Sequence, residues 1–100
     1  MSVKVDPEGI SIRILRDFIN LKDQRLLEVG CGAGRLTFPL AQTASHITAI
    51  DPCQEDIQEA VEKTPPRLSG SIEFLPLGIE DFQPPPGAPG FDITLFTWSL

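Results

Sequence analysis

Three glycines at alternate positions follow an acidic residue in Glu28-Val29-Gly30-Cys31-Gly32-Ala33-Gly34, and a second acid, Asp51, stands just before Pro52. Glycines in that pattern permit positive φ and let a ligand lie directly against the main chain, where N–H groups rather than side chains grip it. If both pieces sit at the carboxyl ends of neighbouring strands, where open α/β sheets bind ligands, Asp51 is placed to accept hydrogen bonds from a ribose. The chemistry implied is recognition of a nucleoside-bearing molecule by backbone and carboxylate. Asp51 also suits a helix N-cap, and the two roles are compatible because a carboxylate offers several lone pairs.

Such residues need elements to hold them. An apolar run over residues 25–29 reads as a strand that stops at the glycines, and Leu36, Leu40 and Ala41 mark one face of a helix over residues 35–42. That helix is expected to present free N–H groups beside the turn, and Pro39 lies too near its start to break it. Residues 47–50 form a second strand ending on Asp51-Pro52. A helix follows from about residue 54 to 63, with Ile57, Ala60 and Val61 on one face and Pro65-Pro66 as its stop. Two further strands are read at residues 71–75 and 91–98. Ahead of all these, Ile10, Ile14, Leu15, Phe18 and Ile19 recur at helical spacing behind Asp6-Pro7, which predicts an amphipathic helix within residues 1–20. The proline-rich stretch over residues 84–90 reads as a stiff surface connection. Strands alternating with helices imply a parallel sheet with right-handed crossovers, an α/β fold.

Composition narrows the classes. The formal net charge of −6 argues against a phosphate-gripping surface, which makes nucleic acid an unfavoured partner. Hydrophobic residues make up 41% of the 100, enough for one packed domain. Cys31 and Cys53 are too few for a disulfide scaffold, Met1 to Ser11 carries no signal-like apolar run, and no stretch is long enough to span a membrane, so a reduced, cytoplasmic protein is expected. Cys31 reads as a small filler with no neighbouring base, although the two cysteine loops can be close enough to pair under oxidation. His46, the only histidine, reads as a turn or surface residue, and two Cys with one His make no zinc spacing. No metal is expected.

The run from Leu26 through Glu28-Val29-Gly30-Cys31-Gly32-Ala33-Gly34-Arg35-Leu36-Thr37 resembles class I S-adenosylmethionine-dependent methyltransferases. So do Ile50-Asp51-Pro52, residues 72–82 and Phe91-Asp92-Ile93. The resemblance implies a Rossmann-like parallel sheet with flanking helices and S-adenosylmethionine as cofactor. It further implies that Gly30, Cys31 and Gly32 border the methionine part with Glu28 near its amino group, that Gly34 lets the helix approach, and that Arg35 reaches the methionine carboxylate. Asp51 would grip the ribose hydroxyls, Pro52 would pack beside the adenine, and Gly78, Ile79 and Glu80 would form the adenine-edge loop. Many relatives carry an Asp where this chain has Gly78, a contact that Glu80 or Asp81 would have to replace. Thr97, with Phe96 and Trp98, would lie near the methyl group and the acceptor.

The reaction implied is transfer of the sulfonium methyl to an acceptor, with a small molecule favoured; no catalytic residue is singled out, since positioning and exclusion of water do most of that work. A nicotinamide-dependent oxidoreductase is the rival enzyme, but its turn wants glycine where Arg35 stands. A non-catalytic cofactor-binding or scaffold domain is the alternative from another class. Related domains continue with three more strands, so residues 1–100 are expected to form the cofactor-binding, N-terminal portion of the domain, truncated after the fourth strand. In the expected order the last strand would then be an exposed apolar edge.

Overall fold

The computed structural model describes residues 2–5 and 20–97. Among them, five strands form one parallel sheet: β1 (Ser2–Val5), β2 (Arg25–Val29), β3 (His46–Ile50), β4 (Ile72–Leu75) and β5 (Ile93–Thr97). Their order is β1-β5-β2-β3-β4. Helix α1 (Thr37–Ala41) connects β2 to β3, and helix α2 (Gln54–Lys63) connects β3 to β4. The fold is Rossmann-like α/β, as the alternation of strand and helix patterns predicts. Of the leading amphipathic helix expected within residues 1–20, residues 2–5 are strand β1 instead, and residues 6–19 lie outside the described residues.

The central strands are buried on both faces, which is why their sequences read as continuous apolar runs rather than alternations. Leu26, Ile47, Ala49 and Leu95 form the core with Leu40 and Ala41 of α1, and Ile72 and Phe74 pack against it. The Phe38 ring meets Phe74 edge-on, with centroids 5.9 Å apart, tying α1 to the sheet. The 3-10 turn Pro66–Leu68 buries Leu68 beneath the end of α2. On the opposite face, Pro84, Pro85 and Pro89 enclose a cavity of about 460 Å³ against Arg25, His46 and Glu73. Val29 lies opposite Ile50 and Phe96, and Ile50 lies opposite Leu75, so the carboxyl ends of four strands meet at one edge.

Three expectations change. β5 is not an exposed edge: Ser2 pairs with Thr94 and the register runs to Val5 opposite Thr97. Ser2-Val3-Lys4-Val5 alternates β-branched and polar residues, a pattern that suits an edge strand but is too short to stand out unaided. Helix α1 begins at Thr37 rather than residue 35, because Pro39 has no N–H to give the Arg35 carbonyl; the Phe38 N–H already reaches the Gly34 carbonyl at 3.2 Å. His46 is the first residue of β3 and the register partner of Arg25, not a turn residue.

Candidate functional site

The turn after β2 is held by backbone. The N–H groups of Gly30 and Cys31 both donate to the Ile50 carbonyl, at 2.8 and 3.1 Å, so β2 and β3 end together. Gly30, Gly32 and Gly34 all adopt positive φ, at 87°, 56° and 92°. Their surroundings differ. A Cβ at Gly30 would lie 2.6 Å from the Thr97 carbonyl oxygen, and one at Gly34 would lie 2.8 Å from the Phe38 ring, so these two are required by the packing of β5 and α1. A Cβ at Gly32 would meet nothing within 4 Å. That is open space against bare main chain.

Asp51 borders this space. Its side chain is mostly buried, 8% exposed, and its two oxygens are both engaged. Oδ2 accepts from the Gly32 N–H at 3.0 Å and Oδ1 accepts from the Cys53 N–H at 2.9 Å. The carboxylate therefore joins the glycine turn to the loop that starts α2. It makes a turn bond two residues ahead rather than a cap on the helix interior, since Cys53 occupies the N-cap position. The free helical N–H groups expected beside the turn are not what faces this space: α1 starts later, and the Gly34 N–H is taken by the Cys31 carbonyl at 3.1 Å.

Glu28 lies beneath the same turn, 1% exposed. Its Oε1 accepts from the Thr37 hydroxyl at 2.5 Å, and its Oε2 has only the Thr97 hydroxyl at 3.5 Å. Burial pushes the carboxyl up from 4.5 to about 7; the Thr37 and Thr97 hydroxyls pull it down, and the Asp51 charge adds to the rise. Thr97 has one proton to give, and its nearest acceptor is the Gly30 carbonyl at 2.6 Å. Its hydroxyl thus braces the turn from below. Thr37, fully buried, was assigned no role from the sequence; its signal was a hydroxyl at a helix start on an otherwise apolar face, nine residues after a carboxylate that needs a donor.

The loop after β4 arrives at the same edge, since the Asp51 N–H donates to the Leu75 carbonyl at 3.2 Å. Gly78 leads into the 3-10 turn Ile79–Asp81, and the Glu80 carboxylate folds back to within 2.8 Å of where a Gly78 Cβ would stand. Ile79 is 42% exposed, and Pro52 and Arg35 are exposed as well. The structure brings Glu28, Gly30, Cys31, Gly32, Gly34, Asp51 and Thr97 together, with Arg35, Pro52 and residues 78–80 on the surrounding surface. None of these lines the 460 Å³ cavity on the other side of the sheet.

Both cysteines are free, Cys31 buried and Cys53 exposed. Burial, then the charges of Glu28 and Asp51, pushes the Cys31 thiol far above its ordinary range, which leaves it unreactive. Among the described residues no group of three or more His, Cys, Asp or Glu is arranged to hold a metal ion, and no helix is long and apolar enough to cross a membrane.

A family profile described as a methyltransferase domain matches residues 26–100. A ubiquinone biosynthesis O-methyltransferase of Methylocella silvestris is 48% identical over 40 residues, which are 40% of this chain and 16% of that protein. A 23S rRNA uracil methyltransferase of Methylococcus capsulatus is 33% identical over 52 residues, 52% of this chain and 12% of that protein. The chain thus spans less than a fifth of either relative. The magnesium protoporphyrin IX methyltransferase of Synechocystis, solved with bound S-adenosylmethionine, superposes with a TM-score of 0.67 at 22% identity, over 85% of this chain and 39% of that one. This last similarity is one of fold. Because the profile takes in the whole chain from β2 onward, glycine turn and both acids included, the chain belongs to the methyltransferase domain family, in its class I, S-adenosylmethionine-dependent form.

Proposed function

We propose that residues 1–100 are the cofactor-binding portion of an S-adenosylmethionine-dependent methyltransferase. The observation that carries this reading is the open main chain at Gly32, bounded by an Asp51 carboxylate already anchored to it. Each carboxylate oxygen of Asp51 accepts one N–H bond and keeps a second lone pair, enough to receive the two hydroxyls of a ribose. Bare backbone at Gly32 admits the methionine chain at close range, and the under-bonded Oε2 of Glu28 suits its ammonium group. Arg35, exposed at the rim, is free to swing to the carboxylate, while Pro52 and Ile79 offer apolar surface to the adenine and Gly78 and Glu80 offer it polar atoms. Cys31 contributes backbone only. Thr97 serves by bracing Gly30.

When bound, the cofactor's sulfonium supplies a methyl carbon already activated for transfer. The chain's own part is to bind, orient and exclude water; no residue here is assigned as a general base. A small-molecule acceptor in a cytoplasmic setting is the reading we favour. The net charge of −6 disfavours a polyanion, and two free thiols suit a reducing compartment.

Isothermal titration with S-adenosylmethionine, S-adenosylhomocysteine and NAD tests the proposal. Binding of the first two and not the third is expected. Binding of NAD alone overturns it in favour of an oxidoreductase, and cofactor binding with no transfer in any longer form of the protein turns it toward a scaffold role.

A further inference from the structure

Among the described residues Glu28 is the most buried charged side chain, and none of the described groups acting on it is a cation. Its surroundings can be named element by element. From α1 comes the Thr37 hydroxyl, at 2.5 Å from Oε1. From β5 comes Thr97, whose hydroxyl lies 3.5 Å from Oε2 and closer to the Gly30 and Val29 carbonyls, at 2.6 and 3.2 Å. From the end of β3 comes the Asp51 charge, and from the glycine turn the Cys31 thiol, held neutral. Thr97 is therefore committed elsewhere. Thr37 is the one strong donor to the carboxyl group among these.

A hydroxyl donor has two effects on a buried carboxyl. It fixes the group's orientation, and it favours the ionised form over the protonated one. We propose that Thr37 is a positioning residue for cofactor binding, holding the Glu28 carboxylate in the orientation and charge state that a ligand ammonium group requires. Thr37 itself is fully buried, with its hydroxyl spent on Glu28, so its route to a ligand runs through that carboxylate. It acts through Glu28 alone. The inference rests on the S-adenosylmethionine reading for the identity of the ligand but not for the coupling between the two side chains.

Three features of the fold favour this role over a packing one. Thr37 opens α1, where its own N–H needs no intrahelical acceptor and its side chain is free to reach outside the helix. The neighbouring apolar positions, Leu36, Leu40 and Ala41, already fill the core beneath α1. A valine would fill the same volume as Thr37 without a hydroxyl, so packing alone does not call for Thr.

The experiment compares Thr37→Val, Thr37→Ser and Glu28→Gln with the parent chain. S-adenosylhomocysteine affinity is measured from pH 6.5 to 8.5, and the Glu28 carboxyl is titrated by carbon NMR without ligand. Loss of a hydrogen bond to a charged group is expected to move the Glu28 midpoint in T37V up by about 1 to 2 in pH. From a starting value of about 7, that weakens binding by about 3- to 30-fold at pH 7.5, narrowing to about 4-fold or less at pH 8.5. T37S should restore both readouts, and in the E28Q background T37V should add no pH-dependent loss.

A T37V midpoint equal to that of the parent overturns the proposal, as does a loss of affinity that is uniform in pH and undiminished in E28Q, since that is what a purely structural role would give. If T37V does not fold, T37S against Thr37→Ala supplies the same comparison of hydroxyl present against absent. If the parent chain binds neither S-adenosylmethionine nor S-adenosylhomocysteine, the cofactor reading falls, while the NMR titration still decides whether Thr37 governs Glu28.

Discussion

Replacing Glu28 by Gln should make the folded chain less sensitive to pH, and the size of the effect follows from its burial. In the unfolded chain the carboxyl ionises near 4.5, and in the folded chain near 7. Below 4.5 both states hold the proton and the group contributes nothing to the difference. Between 4.5 and about 7 the unfolded state releases the proton while the folded state keeps it, so stability falls as pH rises. Above that window the full penalty is present. At 1.36 kcal/mol per pH unit, it amounts to about 3 kcal/mol, a large share of the stability of a 100-residue domain. Glutamine keeps an acceptor for the Thr37 hydroxyl and carries no charge, so the parent-minus-variant difference isolates this one group.

Urea unfolding of both proteins at half-unit steps from pH 4 to 8.5 provides the measurement, with the slope on urea checked for constancy. The variant should gain on the parent by about 3 kcal/mol across that range, with the change concentrated between pH 4.5 and 7. A flat difference curve would refute the reasoning. It would mean that the Glu28 carboxylate is ionised at its ordinary value despite its burial, and that some interaction other than the two hydroxyls compensates the charge. A gain of the opposite sign would mean the carboxylate is stabilising and paired.

Asp51→Ala should lower S-adenosylmethionine affinity by about 30- to 1000-fold, equivalent to about 2 to 4 kcal/mol, in a calorimetric titration; affinity equal to the parent's would remove Asp51 from the site. Gly30→Ala places a Cβ 2.6 Å from the Thr97 carbonyl at φ 87°, and should cost about 2 to 4 kcal/mol in chemical denaturation. Gly32→Ala meets nothing within 4 Å and should cost only about 1 kcal/mol, yet weaken cofactor binding at least about tenfold. Cofactor affinity in Gly32→Ala equal to the parent's would mean that the space at Gly32 is not the ligand's. A thiol reagent at pH 8 should modify Cys53 rapidly and Cys31 only after unfolding, which mass spectrometry of the native and denatured protein can show.

Much of the site was legible because its geometry is local. Positive φ at Gly30, Gly32 and Gly34 leaves a direct mark on residue type, and the Asp51-Pro52 pair marks the end of β3 where a helix is to begin. The strands were legible for the same reason, as apolar runs bounded by glycine or proline. What escaped depends on pairing at a distance. β1 is four residues long, and its place is decided by β5 some ninety residues later, so no local pattern shows it. Thr37 closes the run that contains the glycine turn, but its bond to Glu28 crosses that whole turn and exists only once α1 has folded back over β2. The start of α1 was misplaced because periodicity of Leu36, Leu40 and Ala41 outweighed one missing donor at Pro39.

The two acids divide the work of the site by depth. Asp51 sits at its margin and is satisfied by two backbone N–H groups from two different loops, so the distance between those loops is set before any ligand arrives. Glu28 sits beneath, with one strong hydroxyl donor and one poorly served oxygen, and the nearby Asp51 charge makes a second negative charge there costly. Under the proposed reading, a ligand that brings a diol to Asp51 and a cation to Glu28 answers both conditions at once, leaving in place the N–H bonds that hold the two loops. A diol without the cation would leave the cost at Glu28 standing, and a cation without the diol would leave lone pairs of Asp51 to water. On the proposed cofactor reading, a molecule carrying both groups should therefore bind more tightly than either fragment alone, since the Asp51 contacts that order the two loops are made before it arrives.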